Sequence, residues 1–253
     1  MADRLTQRFR AARRDPGLVV LEGFHALKHA LRFGAEIEIA VAADPAALEE
    51  LAAELAPDLG GRFAALVEPV DAETLAALVP QPPRTGVVAL ARRPQVDLAA
   101  ALADPRPAPV VALEQPRNMG NLGACVRVAA AADAAALVAI GENDPWSPDA
   151  VRGGAGLQFA LPVAGVATLP VGERPLLAID PEGEDLDPVA LPARAILAFG
   201  TERHGLSEEL LSRAEARIAI PMRAGVSSLN LATSVAAVLF AWRLACGKFR
   251  MQR

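Results

Sequence analysis

The chain has 253 residues, 53% of them hydrophobic and 22% charged. That balance excludes a disordered or collagen-like protein and a small disulfide-stapled one, and it sets one or two domains as the expectation. A net charge of −5 excludes a generic polyanion binder but leaves room for local basic patches.

Two such patches sit at the ends. Arg4, Arg8, Arg10, Arg13 and Arg14 stand against Asp3 alone, and Arg243, Lys248, Arg250 and Arg253 against no acid. Either patch suits a phosphate backbone or an ordinary solvated terminus. Only Lys28 and Lys248 are lysines, and that arginine excess is equally what a GC-rich genome would write. Cys125 and Cys246 lie far apart in no CxxC pairing, against zinc and against a secreted disulfide framework. The N-terminus opens on charges, with no apolar signal segment, and Val235 to Trp242 falls far short of the roughly 20 residues a membrane span needs. A soluble cytoplasmic protein with no membrane or metal partner is expected.

In chain order, a basic helix is predicted over Arg4 to Arg14, a strand over Leu18 to Leu21, and a helix over Phe24 to Phe33 closed by Gly34. A strand over Glu36 to Ala42 follows. Asp44-Pro45 then supplies the cap and first-turn proline of a helix through Leu55. A strand near Arg62 to Val67, a helix from Asp71 to Leu78 and a strand from Gly86 to Ala91 complete a first unit, residues 1–103. Three prolines in Asp104 to Pro109 make a stiff linker, 104–109.

The second unit, 110–253, opens with a strand over Val110 to Leu113 and a helix from Leu122 to about Ala132. Strands are predicted near Ala135 to Ile140, Leu161 to Val166, Leu176 to Ile179, Ala195 to Phe199 and Ala216 to Ile220, and a last helix over Leu229 to Ala245. Unbroken apolar strands imply an α/β fold with a parallel sheet covered by helices. The acidic run Glu182 to Asp187 reads as a solvated loop.

In open parallel sheets ligands bind beyond the carboxyl ends of strands, and three strand ends carry polar clusters. The first is Gln115-Pro116-Arg117-Asn118-Met119-Gly120-Asn121-Leu122-Gly123. With Asn121 as the helix cap, Arg127 projects from the second turn. The second is Gly200-Thr201-Glu202-Arg203-His204-Gly205-Leu206-Ser207, whose glycines permit close backbone approach and whose Ser207 caps the acidic start Glu208-Glu209. The third runs from Ile220-Pro221-Met222 to Ser228-Leu229-Asn230, at the start of the longest apolar helix. His25 and His29 have metal-compatible spacing but no third ligand in view. Cys125 reads as core, and His204 as a substrate contact at most.

Asn121-Leu122-Gly123-Ala124-Cys125-Val126-Arg127, Gly200-Thr201-Glu202 with Gly205-Leu206, and Ile220-Pro221-Met222 with Ser228-Leu229-Asn230 resemble, in order and spacing, the three motifs of the SpoU (TrmH) branch of the SPOUT methyltransferases. Val20-Leu21-Glu22-Gly23 and Thr85-Gly86-Val87-Val88-Ala89-Leu90 resemble the small substrate-binding domain of many members. The resemblance implies a C-terminal parallel-sheet SPOUT domain with a trefoil knot, an exception to the rule against threaded chains, and an N-terminal α/β domain like ribosomal protein L30e. It also implies a homodimer through the C-terminal domain and transfer of a methyl group from S-adenosylmethionine to a ribose 2′-hydroxyl in RNA, ribosomal RNA before tRNA. By the same resemblance Asn121, Arg127, Glu202, Ser228 and Asn230 are the catalytic set. Gly200, Ile220 and Leu229 hold the cofactor through backbone contacts, and Leu113, Met222 and Leu229 sandwich its adenine.

Arginine, with a side-chain pKa above about 12, is a poor general base. Arg127 is therefore either the base the resemblance implies or a fork that grips substrate phosphate and polarises the nucleophile, and Glu202 stays a candidate base. A non-catalytic RNA-binding or assembly factor on the same scaffold is the competing expectation. A nicotinamide-dependent oxidoreductase ranks last, since no GxGxxG follows the first strand of either unit.

Overall fold

Short polar side chains fix where most helices begin. A computed structural model describes residues 2–187, 191–201 and 204–246. Its first elements are α1 (Ala2–Ala12), β1 (Leu18–Glu22), α2 (Phe24–Arg32), β2 (Ile37–Ala42), α3 (Pro45–Leu55), α4 (Arg62–Leu66), β3 (Glu68–Pro69), α5 (Ala72–Leu78) and β4 (Val87–Arg92). Then come α6 (Leu98–Ala103), β5 (Val110–Glu114), α7 (Met119–Ala131), β6 (Ala136–Ile140), α8 (Pro148–Gly154) and β7 (Val163–Val166). The last are β8 (Leu176–Asp185), β9 (Ile196–Phe199), α9 (Glu208–Arg213), β10 (Ala216–Ala219) and α10 (Leu231–Ala245). Asp44, Asp71, Asp97, Asn118, Ser207 and Asn230 each accept a backbone N–H from the first turn of the helix they precede.

The chain divides into two compact units. The first comprises Met1–Gln95 with Trp146–Ala160. Its sheet has the order β1-β4-β2-β3, with β4 antiparallel to both β1 and β2. Phe9 and Ala12 of α1 pack with Val20, Val41, Leu78 and Leu90 into its core. The excursion 146–160, which carries α8, is part of the same unit. Arg152 donates to Glu22 at 3.0 Å, and Glu22, buried, also pairs with Arg13. His29 Nδ1 lies 2.7 Å from the Ala155 carbonyl oxygen, and burial pushes its pKa below the ordinary histidine value.

Where a strand was predicted over Arg62 to Val67, residues Arg62–Leu66 form the short helix α4. An apolar run this short has no decisive periodicity. Its alanines favour helix, and Phe63 is buried by stacking on Phe24 with ring centroids 5.4 Å apart. Two helices went unread, α6 after its Asp97 cap and α8 after Ser147-Pro148.

The second unit comprises Val96–Pro145 and Leu161–Arg253, so it takes in α6 and the proline-rich 104–109 segment. Its sheet has the order β10-β8-β9-β5-β6-β7, and every pairing is parallel, as the unbroken apolar runs implied. From β5 the chain winds outward through β6 and β7. It then crosses to the far side of β5 and fills β8, β9 and β10, which makes the β5–β9 junction the switch point. α10 packs on α7, with Val235, Val238, Leu239 and Trp242 buried. The acidic run does not form a loop throughout: β8 reaches Asp185, and Glu184 and Asp185 pair with Ile218 and Ala219 of β10. Between Ala178 and Glu184 the register jumps. A Cβ on Gly183 would sit 2.4 Å from the Arg217 carbonyl carbon, so only glycine fits where the folded-out strand crosses its neighbour.

Buried Arg174 binds this unit together. Its guanidinium donates to the carbonyls of Leu102, Asp104, Ala108 and Arg194, and burial pulls its pKa below the ordinary arginine value. Arg174→Met should cost about 3 kcal/mol in urea unfolding, because it strands several carbonyls, while Arg174→Lys should recover less than half of that loss.

Candidate functional site

The site is built where β5 and β9 end. Glu114, the last residue of β5, accepts from the Ser207 backbone N–H at 2.7 Å and from its hydroxyl at 2.6 Å. Ser207 Oγ in turn accepts from Leu210 N–H at the start of α9. One carboxylate thus anchors the far end of the loop that follows β9. The near end is anchored by backbone alone: Thr201 and Gly205 exchange both N–H···O bonds at 3.0 Å. A Cβ on Gly200 would lie 2.0 Å from the Gly205 carbonyl carbon, so this crossing requires glycine. His204 N–H donates to Thr201 Oγ1 at 3.0 Å.

Two cavities of the second unit flank this loop. The first, about 340 Å³, has apolar walls from Phe199, Ile220, Met222 and Leu229. Its polar lining comes from Asp180, Thr201, Ser227, Ser228 and Ser234. The second, about 380 Å³, is lined by Pro116, Arg117, Asn118, Asn121 and His204. Thr201 and Leu231 line both, so the cavities adjoin. Helix N-termini stand at each, α10 at the first and α7 at the second, and the positive end of a helix dipole favours anionic ligand groups.

The residues expected to hold a cofactor divide cleanly. Gly200, Ile220, Met222 and Leu229 line the first cavity. Leu113 lies inside β5, fully buried and opposite Phe199, outside the lining of either cavity. Of the expected catalytic residues, Asn121 lines the second cavity and Ser228 the first. Asn230 caps α10 by accepting from Ala232 N–H at 3.0 Å. Arg127 is exposed on α7 and lines neither cavity. Glu202 lies outside the described residues, as do Arg203 and the Lys248, Arg250 and Arg253 of the basic C-terminal end.

Asn118, not Asn121, caps α7, accepting from Asn121 N–H at 2.9 Å. Asn121 therefore sits in the first turn, and six residues of helix turn Arg127 roughly 120° away from it. Asp180 went unread. It directly follows the predicted strand Leu176 to Ile179, and the strand-end rule that located the other clusters applies to it equally. Cys125 is buried, as expected of core. The described residues hold no group of three or more His, Cys, Asp or Glu side chains that could hold a metal ion, and among them no helix is long and apolar enough to cross a membrane.

Residues 108–240 match the model of the SpoU rRNA Methylase family. The chain belongs to this family. Among its relatives is an uncharacterized tRNA/rRNA methyltransferase of Mycobacterium bovis, 34% identical over 203 residues that cover 74% of this chain and 69% of the relative. The 23S rRNA (guanosine-2′-O-)-methyltransferase of Acinetobacter baylyi is 27% identical over 198 residues, 72% of this chain and 80% of the relative. An AdoMet-bound rRNA methyltransferase from Sinorhizobium meliloti superposes with a TM-score of 0.71 at 28% identity, over 96% of this chain and 92% of that one. The SpoU protein described here is accordingly an RNA methyltransferase, and the cofactor of its family is S-adenosylmethionine.

Gly200→Ala tests the loop geometry. The added methyl meets backbone, which cannot rotate away, so the variant should lose about 3 kcal/mol or more in chemical denaturation. Calorimetric titration of the variant with S-adenosylmethionine should also show weaker binding than the wild-type protein gives.

Proposed function

We propose that this SpoU protein transfers a methyl group from S-adenosylmethionine to a ribose 2′-hydroxyl in RNA, with ribosomal RNA as the substrate and tRNA as the second choice. The observation that carries the reading is the pair of adjoining cavities with a shared wall at Thr201 and Leu231. One has apolar walls with a carboxylate, Asp180, and several hydroxyl-bearing residues in its lining. The other is lined by amide, guanidinium and imidazole side chains.

The first cavity fits the cofactor chemically. Ile220, Met222 and Leu229 offer flat apolar contact to a base, and the α10 N-terminus suits a carboxylate. Bound there, the cofactor supplies an electrophilic methyl carbon. The rest of the work falls to this chain. Arg117 and the N-terminus of α7 hold a backbone phosphate, Asn121 orients the ribose, and Thr201 in the shared wall keeps nucleophile and methyl carbon at attack distance. The methyl carbon is bonded to the 2′ oxygen, the sulfur keeps the electron pair of the broken bond, and the hydroxyl proton leaves to a base. Arg127 as base or polarising fork and Glu202 as alternative base both belong to this reading.

The homodimer belongs to it as well. Arg127 stands off the walls of its own chain's cavities, and a second copy packed through the second unit would bring an arginine to the ribose. A trefoil knot in this unit, an L30e-like first unit that selects the RNA, and a cytoplasmic location complete the proposal. Arg127→Ala should lower transfer by at least about 1,000-fold while leaving cofactor affinity within about twofold. Unchanged turnover in that variant would remove Arg127 from the mechanism.

In the first unit Arg8 and Arg13 are already engaged by Glu38 and Glu22, which leaves exposed Arg4, Arg10 and Arg14 of the basic end to meet phosphate. Replacing these three with alanine should reduce the salt slope of RNA binding by about two to three, with cofactor affinity unaltered. An unchanged slope would return these arginines to an ordinary solvated helix face.

A further inference from the structure

We propose that Asp180 makes the first cavity prefer a cationic ligand, and so lets it hold the methyl donor more tightly than the demethylated product. The inference rests on the reading of that cavity as the cofactor site. Asp180 follows Ile179, whose pairing with Phe199 is the last between β8 and β9, so it stands inside β8 at the point where β9 ends. Among the described lining residues it is the only one with a formal charge; the others are apolar, hydroxyl-bearing or glycine.

Its orientation is set locally. Oδ1 accepts from Glu182 N–H at 2.9 Å, and Oδ2 lies 3.9 Å from where a Cβ on Gly205 would be, toward the loop that closes the cavity. Arg217, the cation on the neighbouring strand, is directed to Glu182 instead, at 3.9 Å. Among the described residues no arginine or lysine forms an ion pair with Asp180 in competition with a ligand.

The two ligands differ by one charge at one atom. The donor carries a sulfonium, an ammonium and a carboxylate, for a net charge of +1. When the methyl carbon is bonded to the ribose oxygen, the sulfur retains the bonding pair and becomes a neutral thioether, while the hydroxyl proton passes to a base and then to solvent. The product therefore has net charge zero. A carboxylate on the wall of a half-enclosed cavity attracts a unit positive charge a few ångströms away strongly enough to separate the two affinities by about tenfold. The preference is useful: a cavity neutral throughout would hold product as firmly as donor and slow each turnover.

Isothermal titration of the wild-type protein with S-adenosylmethionine and with S-adenosylhomocysteine, repeated on Asp180→Asn and Asp180→Glu, tests this. Asparagine retains the oxygen that accepts from Glu182 N–H, so the turn survives while the charge is lost. The expected result is a wild-type preference of about tenfold for the donor, a donor affinity about tenfold weaker in Asp180→Asn with product affinity changed by less than about twofold, and a preference retained in Asp180→Glu. Equal weakening of both ligands would mean that Asp180 binds a group they share, such as a ribose hydroxyl, and would overturn the inference, as would unchanged affinities. Failure of the wild-type protein to bind either ligand would instead overturn the assignment of the cavity, and the inference with it.

Discussion

The two cavities share a wall because nothing larger than a hydrogen atom projects from Gly200. The backbone there passes within van der Waals contact of Gly205 and Leu206, and the paired bonds between Thr201 and Gly205 lock the crossing. Everything that gives this site a chemical direction depends on that approach. It draws the loop after β9 tight against the sheet and opens apolar space on one side. The same crossing sets Thr201 between that space and the polar cavity under α7. Glu114 supplies the complementary restraint from β5 by holding Ser207, so the loop is pinned at both ends by the two strands at the switch point. The parallel order of the sheet determines where the site falls, and the glycine determines that it has two compartments.

The compartments are also electrostatically different, which matters for a reaction that destroys a positive charge. The first contains a carboxylate, Asp180, and a helix N-terminus; the second contains a guanidinium, an imidazole and another helix N-terminus. On the proposed reading the Arg117 guanidinium of the second cavity suits an RNA phosphate, and the Asp180 carboxylate of the first suits a sulfonium. Arg174 serves the same architecture by collecting the carbonyls of Leu102, Asp104, Ala108 and Arg194, which restrains the chain entering β5 and β9.

Much of this was legible in the sequence, for identifiable reasons. Strands of four to six apolar residues separated by capped helices have few alternatives to a parallel sheet, and polar clusters directly after such strands mark the ligand edge. Legibility ended where local pattern no longer determined conformation. Residues 62–67 looked like a strand because six residues are too few to reveal a period, and its alanines together with the stacking of Phe63 on Phe24 decide for helix. Asn118 and Asn121 are both competent caps, and φ and ψ at residue 118 choose between them. Leu113 has the apolar character of a ligand contact, yet one step inside the strand end leaves it beneath the site. Asp180 was overlooked because a lone carboxylate beside an acidic run resembles surface. The placement of Trp146–Ala160 in the first unit depends on long-range partners such as Glu22 and His29, which no local window contains.

The central claim is that the two adjoining cavities join a methyl donor to a ribose oxygen. The most direct measurement is transfer of labelled methyl from S-adenosylmethionine to undermodified RNA, fractionated by size and then hydrolysed in alkali, which cannot cleave the linkage next to a methylated 2′ oxygen. The account predicts label in ribosomal RNA, recovered in alkali-stable dinucleotides. Label recovered in mononucleotides would place the methyl on a base and contradict it.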